Sequence, residues 1–340
     1  MLSQLLKNKI KVVFIIDASK KIGLGHIFRS ISISKLLQKY HVIFLMKKRA
    51  LLYFDKLNID KNNYMIYKNL EELILILKKI NPNLIVNDRL NNSYKYMKKI
   101  KICQCKIINI EDFGKGNNLA DYSIDELNFN SVKFRDNNNK LLGYKYFIIR
   151  DCFNKFKKIP FNRKIKKILL IFGGTDPKNY IELVLNKIIK FCYIKNITIY
   201  IACGIGNKNI NKIEINVCKR YKSNVKFIKE SNQIPFIMYQ CDFAFTSNGR
   251  TVLELAYMNI PSIILFQNAR ESKHDFYKIS NGSIVLGYCK KNYNNILENF
   301  KKINVNSNRR KQLYDNLLKF NFSKNKFNYQ KFLKKILHEK

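Results

Sequence analysis

The sequence predicts an α/β protein of two domains, each built around a doubly wound parallel sheet. Short apolar runs rich in Val, Ile and Phe alternate with segments of helical periodicity, a pattern typical of parallel sheets covered by helices. The chain has 340 residues, of which 46% are hydrophobic. This length suits two domains of about 150 residues, each with its own core.

The predicted elements follow one another along both halves of the chain. We expect strands at residues 12–16, 42–46, 84–86, 107–110, 168–172, 197–202, 225–228, 243–246 and 263–266, where short apolar runs occur. Helices are expected at residues 26–40 and 70–79, because their apolar positions recur every three or four residues.

The domain boundaries are predicted from composition. Residues 1–150 form a first Rossmann-like domain, and residues 168–325 form a second one that binds a nucleotide. Residues 151–167 are basic and contain Pro160, so we expect the linker there.

The last segment, residues 326–340, is predicted to be a basic amphipathic helix. Its inner face should carry Phe327, Phe332, Leu333 and Ile336. A helix that docks back across the junction of the two domains is favoured over a membrane anchor.

The charge of the chain is strongly positive, at +40, which would suit a nucleic-acid-binding protein. However, only 11 of the 64 basic residues are Arg, and the lysines are spread over most of the chain rather than gathered in one stripe. AT-rich codons produce such a composition without selecting a partner. We therefore expect no specific nucleic-acid partner, and at most weak attraction to acidic substrates or to an anionic membrane surface.

Other features of the composition favour a cytoplasmic protein without metal, and we expect it to be a monomer. No apolar run approaches the roughly 18 residues of a membrane-spanning helix, and the N-terminus lacks a signal-peptide cleavage site. The eight cysteines include no C-x-x-C pair, so free and mostly buried thiols are expected rather than a zinc site.

The first chemical motif, GLGHIFR, lies between the first predicted strand and helix. Gly23 and Gly25 would let backbone amides approach a ligand, and a neutral His26 imidazole could take a proton from water. Arg29 falls one turn later on the same helix face. The alternative is that His26 only caps the helix.

The second motif, FGGTDP, follows the predicted strand at residues 168–172. Gly173, Gly174 and Thr175 could cradle a phosphate, with Asp176 as N-cap of the next helix. A tight turn between strand and helix would explain the same spacing.

The third motif, SNGRTVLE, follows the predicted strand at residues 243–246. Its hydroxyls, amides and charges could bind a nucleoside diphosphate, and Glu254 could accept hydrogen bonds from the ribose. The residues concerned are Ser247, Asn248, Gly249, Arg250, Thr251 and Glu254. Alternatively, Thr251 and Glu254 form only a capping box.

Further candidates lie after other strands. Gln267, Asn268 and Glu271 follow the strand at residues 263–266 and could bind substrate, or could form an ordinary charged loop. Asp17 and Asp88 end two strands of the first domain. Either could orient His26 or bind a sugar hydroxyl, or could be an ordinary turn residue.

Together these motifs resemble the UDP-sugar hydrolases of pseudaminic acid biosynthesis (the PseG family) and the related spore-coat polysaccharide proteins. The resemblance lies in residues 16–19 leading into 23–29, in residues 172–179 and in residues 247–255. Residues 87–89 and 267–271 are more similar to the spore-coat branch.

The resemblance implies a GT-B fold, in which two Rossmann-like domains face a central cleft. It implies that water removes UDP from a sugar of the UDP-2,4-diacetamido-2,4,6-trideoxy-β-L-altropyranose type, that His26 is the base, and that residues 247–254 hold UDP. No cofactor is implied. A glycosyltransferase, with an acceptor hydroxyl in place of water, and a non-catalytic sugar-nucleotide-binding protein stay open as alternatives.

Overall fold

The two halves of the chain form separate α/β units in the computed structural model. The structure describes residues 10–17, 25–54, 63–129, 139–156, 160–204, 206–207, 209–217, 219–229 and 231–338. Residues 1–148 and 323–340 make up the first unit, and residues 149–322 the second. The last segment therefore returns to the first unit.

The first unit contains a parallel sheet in the order β3-β2-β1-β4-β5-β6-β7. Its strands are β1 (Lys11–Ile16), β2 (His41–Met46), β3 (Tyr64–Ile66), β4 (Leu84–Asp88), β5 (Lys106–Ile110), β6 (Tyr122–Asp125) and β7 (Lys140–Leu142). The order reverses between β1 and β4, which is the switch point where open α/β sheets bind ligands.

Helices pack on this sheet through apolar side chains. They are α1 (Gly25–Ser34), α2 (Lys48–Phe54), α3 (Leu70–Ile80) and α4 (Tyr94–Ile100). The core joins strand residues such as Ile15 and Ile85 to Leu73 and Leu77 of α3. Asn69 caps α3, because its side chain accepts a hydrogen bond from the Glu72 amide, and Asn81 ends the helix in the left-handed conformation.

The second unit contains a parallel sheet in the order β10-β9-β8-β11-β12-β13. Its strands are β8 (Lys167–Ile171), β9 (Thr198–Ala202), β10 (Val225–Ile228), β11 (Phe243–Thr246), β12 (Ser262–Phe266) and β13 (Ser283–Tyr288). Here the order reverses between β8 and β11, so the topology of the first unit is repeated.

The second unit has its own helices and core. The helices are α5 (Tyr180–Ile194), α6 (Ile210–Asn216), α7 (Ile234–Met238), α8 (Thr251–Tyr257), α9 (Phe276–Ser280), α10 (Cys289–Asn292), α11 (Asn295–Val305) and α12 (Ser307–Leu318). One core cluster packs α5 against the sheet, and a second lies on its other face around Leu169, Ala244 and Met258. Helices on both faces explain why the central strands are almost wholly apolar.

The α/β class predicted from the sequence is confirmed, and the apolar strands lie within one or two residues of their predicted positions. The structure adds β3, β6, β7 and β13, which the sequence analysis did not predict. Three of them, β3, β7 and β13, are edge strands without fully buried residues, unlike the buried central strands. The predicted helix at residues 26–40 ends earlier, at Ser34, and continues as a short 3₁₀ turn.

The C-terminal helix α13 (Asn325–His338) belongs to the first unit. Its buried face is formed by Tyr329, Leu333 and Ile336, whose spacing of four and three places them on one stripe. The expectation that Phe327 points inward is wrong: it is 67% exposed, because it lies two residues before Tyr329 and so faces away from this stripe.

Two further expectations bear on boundaries and membranes. Residues 151–155 form a 3₁₀ helix with Phe153 buried in the second unit. The linker at residues 151–167 and the domain boundaries derived from composition stay predictions. Among the described residues, no helix is long and apolar enough to cross a membrane.

Candidate functional site

His26 and Asp88 meet at the switch point of the first sheet. His26 is the second residue of α1, and Asp88 is the last residue of β4. Because β1 pairs with β4 up to Ile16 and Asp88, the helix that follows β1 begins beside this carboxylate. The distance from His26 Nδ1 to Asp88 Oδ1 is 2.5 Å, and both side chains are buried.

This contact fixes the proton on the imidazole ring. A carboxylate oxygen only accepts hydrogen bonds, so Nδ1 of His26 must donate. Nη2 of Arg29 also lies 3.2 Å from Nδ1, but a guanidinium only donates and cannot supply an acceptor. The Nε2 atom of a neutral His26 is therefore left with its lone pair, as a general base requires.

Arg29 anchors the same carboxylate from the next turn of α1. Its Nε and Nη2 donate to Asp88 Oδ2 and Oδ1 at 2.9 and 2.5 Å, and Ser30 Oγ donates to Oδ2 at 3.0 Å. Burial alone would raise the pKa of Asp88, but the charges of Arg29 and His26 outweigh it and hold that pKa below its usual range. Asp88 is thus a permanent anion behind His26.

Two glutamates complete this cluster, and the sequence analysis missed both. Nη1 of Arg29 lies 2.6 Å from Glu111 Oε1 and 2.9 Å from Glu126 Oε1. Burial would lower the pKa of Arg29, but Asp88 and Glu111 raise it above its usual value. Glu111 directly follows β5 and has φ of 49°, an uncommon conformation for a residue other than glycine. Its position after a predicted strand was the signal that could have found it.

The other sequence candidates of the first unit are placed differently. The Asp17 carboxylate accepts hydrogen bonds from Arg49, with Nη2–Oδ1 and Nη2–Oδ2 distances of 2.7 and 2.5 Å. Of the two aspartates expected to orient His26, Asp88 is the one that contacts it. Gly25 begins α1, and Gly23 lies outside the described residues.

In the second unit, the loop after β8 makes a tight turn. Gly173 has φ of 72°, which favours glycine. Asp176 Oδ1 and Oδ2 accept hydrogen bonds of 2.9 Å from the backbone amides of Tyr180 and Ile181, respectively. α5 therefore begins at Tyr180, later than the sequence suggested, and the Asp176 carboxylate occupies amides of its first turn. Burial raises the pKa of Asp176 to about 6.

The flanking residues of this loop are packed closely. A Cβ on Gly204 would lie 2.3 Å from the Cα of Gly174, so the two backbones are in direct contact. Thr175 is buried. Around Gly173, in contrast, an added Cβ would meet no described atom within 4 Å. The open side of the turn is at Gly173.

The loop after β11 is held by a second loop after β12. Asn248 Nδ2 donates to the carbonyls of Glu271 and His274 at 2.7 and 3.0 Å, and His274 Nδ1 lies 2.6 Å from the Asn248 carbonyl. Gln267 Nε2 donates to the Phe172 carbonyl at 2.9 Å. The second, third and fourth motifs therefore form one cluster in this unit.

Glu271 lies at the centre of this cluster. Its Oε2 accepts the Gln267 amide at 2.8 Å, and Ser247 and the Asn248 amide also hydrogen-bond the carboxyl group. Burial raises the pKa of Glu271 to about 7, and the nearby charge of Asp176 adds to this. Asn268 shapes the loop, because its Oδ1 accepts the amides of Arg270 and Glu271 at 3.0 Å.

The start of α8 excludes one alternative that the sequence left open. Arg250 is the N-cap residue and Thr251 is the first helical residue, so Thr251 and Glu254 do not form a capping box. Glu254 Oε1 instead accepts a hydrogen bond from Nε of Arg150, at a distance of 3.0 Å. At Gly249 an added Cβ would meet only Glu271 Oε1 and Ser247 Oγ, both 4.0 Å away, so space remains above this loop.

Two buried acceptors in this cluster are unsatisfied. The Oδ1 atom of Asn248 and the Oε1 atom of Gln267 have no hydrogen-bond donor among the described residues. The amide nitrogens of both side chains bind carbonyls, which fixes the orientation of these oxygens. Buried acceptors are normally paired, so both positions suit hydrogen-bond donors of a ligand. Within the described ranges, no three His, Cys, Asp or Glu side chains are arranged to hold a metal ion.

No protein-family model matches the chain. It is 28% identical over 292 residues to an uncharacterized protein of Methanocaldococcus jannaschii, covering 79% of this chain and 58% of that protein. It is 22% identical over 272 residues to a Helicobacter pylori protein, the pseudaminic acid cytidylyltransferase and UDP-2,4-diacetamido-2,4,6-trideoxy-β-L-altropyranose hydrolase. The match covers 76% of this chain and 45% of that protein. The chain thus spans about half the length of these two relatives.

A third relative is closer in length. The chain is 23% identical over 261 residues to the spore coat polysaccharide biosynthesis protein SpsG of Bacillus subtilis, which covers 74% of this chain and 76% of that protein.

Solved structures define the fold class. The chain superposes on MurG of Acinetobacter baumannii with a TM-score of 0.66 and 11% identity, covering 96% of this chain and 99% of that one. It also superposes on the UDP-GlcNAc 2-epimerase from Neisseria meningitidis bound to UDP-GlcNAc, with a TM-score of 0.62 and 12% identity. This superposition covers 96% of this chain and 100% of the epimerase chain. The predicted class, two Rossmann-like domains of the GT-B type, is confirmed.

Proposed function

We propose that this chain is a UDP-sugar hydrolase that releases UDP from an amino-deoxy sugar in the biosynthesis of a nonulosonic acid or surface polysaccharide. The observation that carries the proposal is the buried pair of His26 and Asp88 at the switch point of the first sheet. The likeness to the Helicobacter protein supports UDP-linked sugars as the substrate class, and the likeness to the Bacillus protein supports a role in polysaccharide biosynthesis. The motif resemblance supports a sugar of the 2,4-diacetamido-2,4,6-trideoxy-altropyranose type.

In the proposed reaction, a water oxygen attacks the anomeric carbon while the bond from that carbon to the diphosphate oxygen breaks. His26 Nε2 takes one proton of the water, and the electron pair of the broken bond leaves with UDP. The negative Asp88 stabilises the imidazolium that forms. Arg29 holds Asp88 in place through two hydrogen bonds, so the base is oriented before substrate arrives.

The loops of the second unit are proposed to hold UDP. The loop from Ser247 to Arg250 offers hydroxyl, amide and guanidinium donors with open space at Gly249. Since the pKa of Glu271 is about 7, its carboxyl group can be neutral and donate a hydrogen bond to a phosphate oxygen. The unsatisfied oxygens of Asn248 and Gln267 would accept hydroxyl groups of the ligand. Gly173, Gly174 and Thr175 border the same cluster.

The main alternative is glycosyl transfer, in which His26 would take the proton of an acceptor hydroxyl instead of water. The fold is compatible with it, because the chain also superposes on a UDP-glucosyltransferase from Polygonum tinctorium, with a TM-score of 0.66 and 9% identity over 98% of this chain and 99% of that one. A binding protein without activity would use the second-unit loops but would not need the oriented base. UDP release therefore separates all three functions.

The test is an assay of free UDP with a panel of UDP-sugars, with and without acceptors. Wild-type protein should release UDP without acceptor, and His26→Ala should lower the rate by about two to four orders of magnitude. UDP affinity of the variant should stay unchanged, since His26 does not hold the nucleotide. His338→Ala, which removes an exposed histidine of α13, is the matched control.

Three results would contradict the proposal. Wild-type hydrolysis by His26→Ala would exclude this base. UDP release that starts only when an acceptor is added would establish a transferase. Binding of UDP-sugars without any turnover would leave a binding protein.

A further inference from the structure

Glu111 and Glu126 are two buried carboxylates that the proposed reaction leaves without a role. Glu111 directly follows β5 and Glu126 directly follows β6, and these two strands pair in parallel. The Glu111 amide extends this pairing, because it donates a hydrogen bond of 2.8 Å to the carbonyl of Ile124 in β6. The two strands therefore carry both carboxylates to one point, the Nη1 atom of Arg29.

This arrangement is unfavourable for the glutamates themselves. Their Oε1 atoms lie 2.6 and 2.9 Å from the same nitrogen, so two like charges are close neighbours in a buried place. Glu111 also has φ of 49°, a conformation that side chains other than glycine adopt at a cost in free energy. Strain of this kind concentrates at functional sites, so the glutamates suit a role in the chemistry.

Arg29 by itself opposes the charge that the reaction creates on His26. Its Nη2 atom lies 2.5 Å from Asp88 Oδ1 and 3.2 Å from His26 Nδ1, so the guanidinium and the imidazole share one carboxylate oxygen. Arg29 and Asp88 together are neutral, and a guanidinium beside the ring repels an imidazolium. With the two glutamates, the four side chains carry a net charge of −2 when all are ionised.

We propose that Glu111 and Glu126 are positioning residues for the reaction at His26. They hold Nη1 of Arg29, so that the guanidinium presents Nε and Nη2 to Asp88. Their charge offsets that of Arg29 and leaves the charge of Asp88 available to the imidazolium. The assignment rests on the proposed function, because it takes His26 as the base, and the glutamates act through Arg29 rather than on the substrate.

Glu126→Gln tests the charge, because the amide keeps an oxygen acceptor for Arg29. We expect kcat for UDP release to fall about tenfold with KM unchanged, since the lost charge acts on a cation that forms only during the reaction. Glu111→Gln should behave alike, and Glu126→Asp, which keeps the charge, should lose less. Glu71→Gln is the matched control: it removes the carboxylate of an exposed ion pair with Lys99 in the same unit and should change neither constant.

A double-mutant cycle separates this role from a structural one. In the His26→Ala background, Glu126→Gln should have no further effect on the rate, because the base on which the charge acts is gone. Damage to the fold or to substrate binding would lower the rate by the same factor in both backgrounds. An equal loss in the two backgrounds would therefore overturn the positioning role.

The last measurement needs no turnover. The proton on His26 Nδ1, in its hydrogen bond of 2.5 Å, should give a far-downfield proton NMR signal that is assigned by its loss in His26→Ala. Removing either glutamate strengthens the pull of Arg29 on Asp88 Oδ1, so this signal should move upfield in Glu111→Gln and Glu126→Gln and stay in place in Glu71→Gln.

The NMR outcomes separate these positioning residues from the hydrolase. A signal that neither glutamate variant moves overturns the proposal, whatever the enzyme hydrolyses. An upfield shift in a protein that releases no UDP supports the coupling of the glutamates to His26 and contradicts the hydrolase.

Discussion

The two units share a topology but use acidic side chains in opposite ways. In the first unit, Asp88 is buried against Arg29 and stays ionised, because its pKa is held below the usual range. In the second unit, burial raises the pKa of Glu271 to about 7 and that of Asp176 to about 6, and both carboxyl groups bind backbone amides. The same residue class is a fixed anion in one cluster and a titrating group in the other.

This difference follows from the partners that each sheet edge supplies. A guanidinium offsets the cost of burying a charged carboxylate, because it carries the opposite charge. Backbone amides are neutral, so they offset only part of this cost. The first cluster therefore suits an oriented base, and the second suits a ligand that is itself negative, because a carboxyl that can become neutral does not repel a phosphate.

The largest effect should come from removing the cation that the first cluster shares. Arg29→Met leaves Asp88, Glu111 and Glu126 without their common partner, and breaking a buried ion pair costs about 3–5 kcal/mol. We expect the free energy of unfolding of the first unit to fall by this amount in urea titrations. The control Arg309→Met should change it by less than about 0.5 kcal/mol. A variant as stable as wild type would show that the three carboxylates do not depend on Arg29.

Asp88→Asn tests the orientation of His26 with less damage to the fold. The amide keeps the shape of the side chain but loses the charge that stabilises the imidazolium. The rate of UDP release should fall by about two to four orders of magnitude with little change in substrate affinity. Asp17→Asn is the matched control, because its carboxylate binds Arg49 instead. A larger loss in Asp17→Asn than in Asp88→Asn would reverse the two roles.

The sequence was sufficient to predict the positions of the residues that follow central strands. His26, Asp88 and the loops after β8, β11 and β12 were predicted because apolar runs mark where these strands end. Glu126 was missed because β6, with the sequence YSID, alternates polar and apolar residues and was not predicted. The ion pair of Arg150 with Glu254 joins residues 104 positions apart, and no local pattern indicates such a pairing.

The pKa of Glu271 is raised and that of Asp88 is lowered, so the stabilities of the two units should depend on pH with opposite sign. Glu271 binds its proton more tightly in the folded state, with a pKa of about 7 against 4.5, so its contribution is present below 4.5 and is lost as pH rises through 7. The folded pKa of Asp88 is lowered, so its contribution is present above 3.8 and is lost as pH falls further. The titration of Glu271 alone should cost the second unit about 3 kcal/mol between pH 4.5 and 8, and the raised pKa of Asp176 adds to this loss.

Calorimetric unfolding at several pH values, with the two transitions resolved, measures this contrast. Glu271→Gln should reduce the slope of the second unit between pH 5 and 8, most clearly above pH 6 where Asp176 is already ionised, and should leave the first unit unchanged. An unaltered slope in this variant would show that Glu271 does not titrate in that range.

The smallest effect concerns Glu254, which the sequence analysis assigns to ribose and the structure pairs with Arg150. The hydrogen bonds of a carboxylate to two ribose hydroxyls are worth about tenfold in affinity, so Glu254→Ala should weaken UDP binding by roughly that factor in calorimetric titrations. Arg150→Met removes the other half of the ion pair and should lower stability without the same loss of affinity. If Glu254 serves only Arg150, the two variants should lose the same stability and both should bind UDP like the wild type. A loss of affinity confined to Glu254→Ala would instead place the carboxylate on the nucleotide, because only that variant removes the acceptor itself.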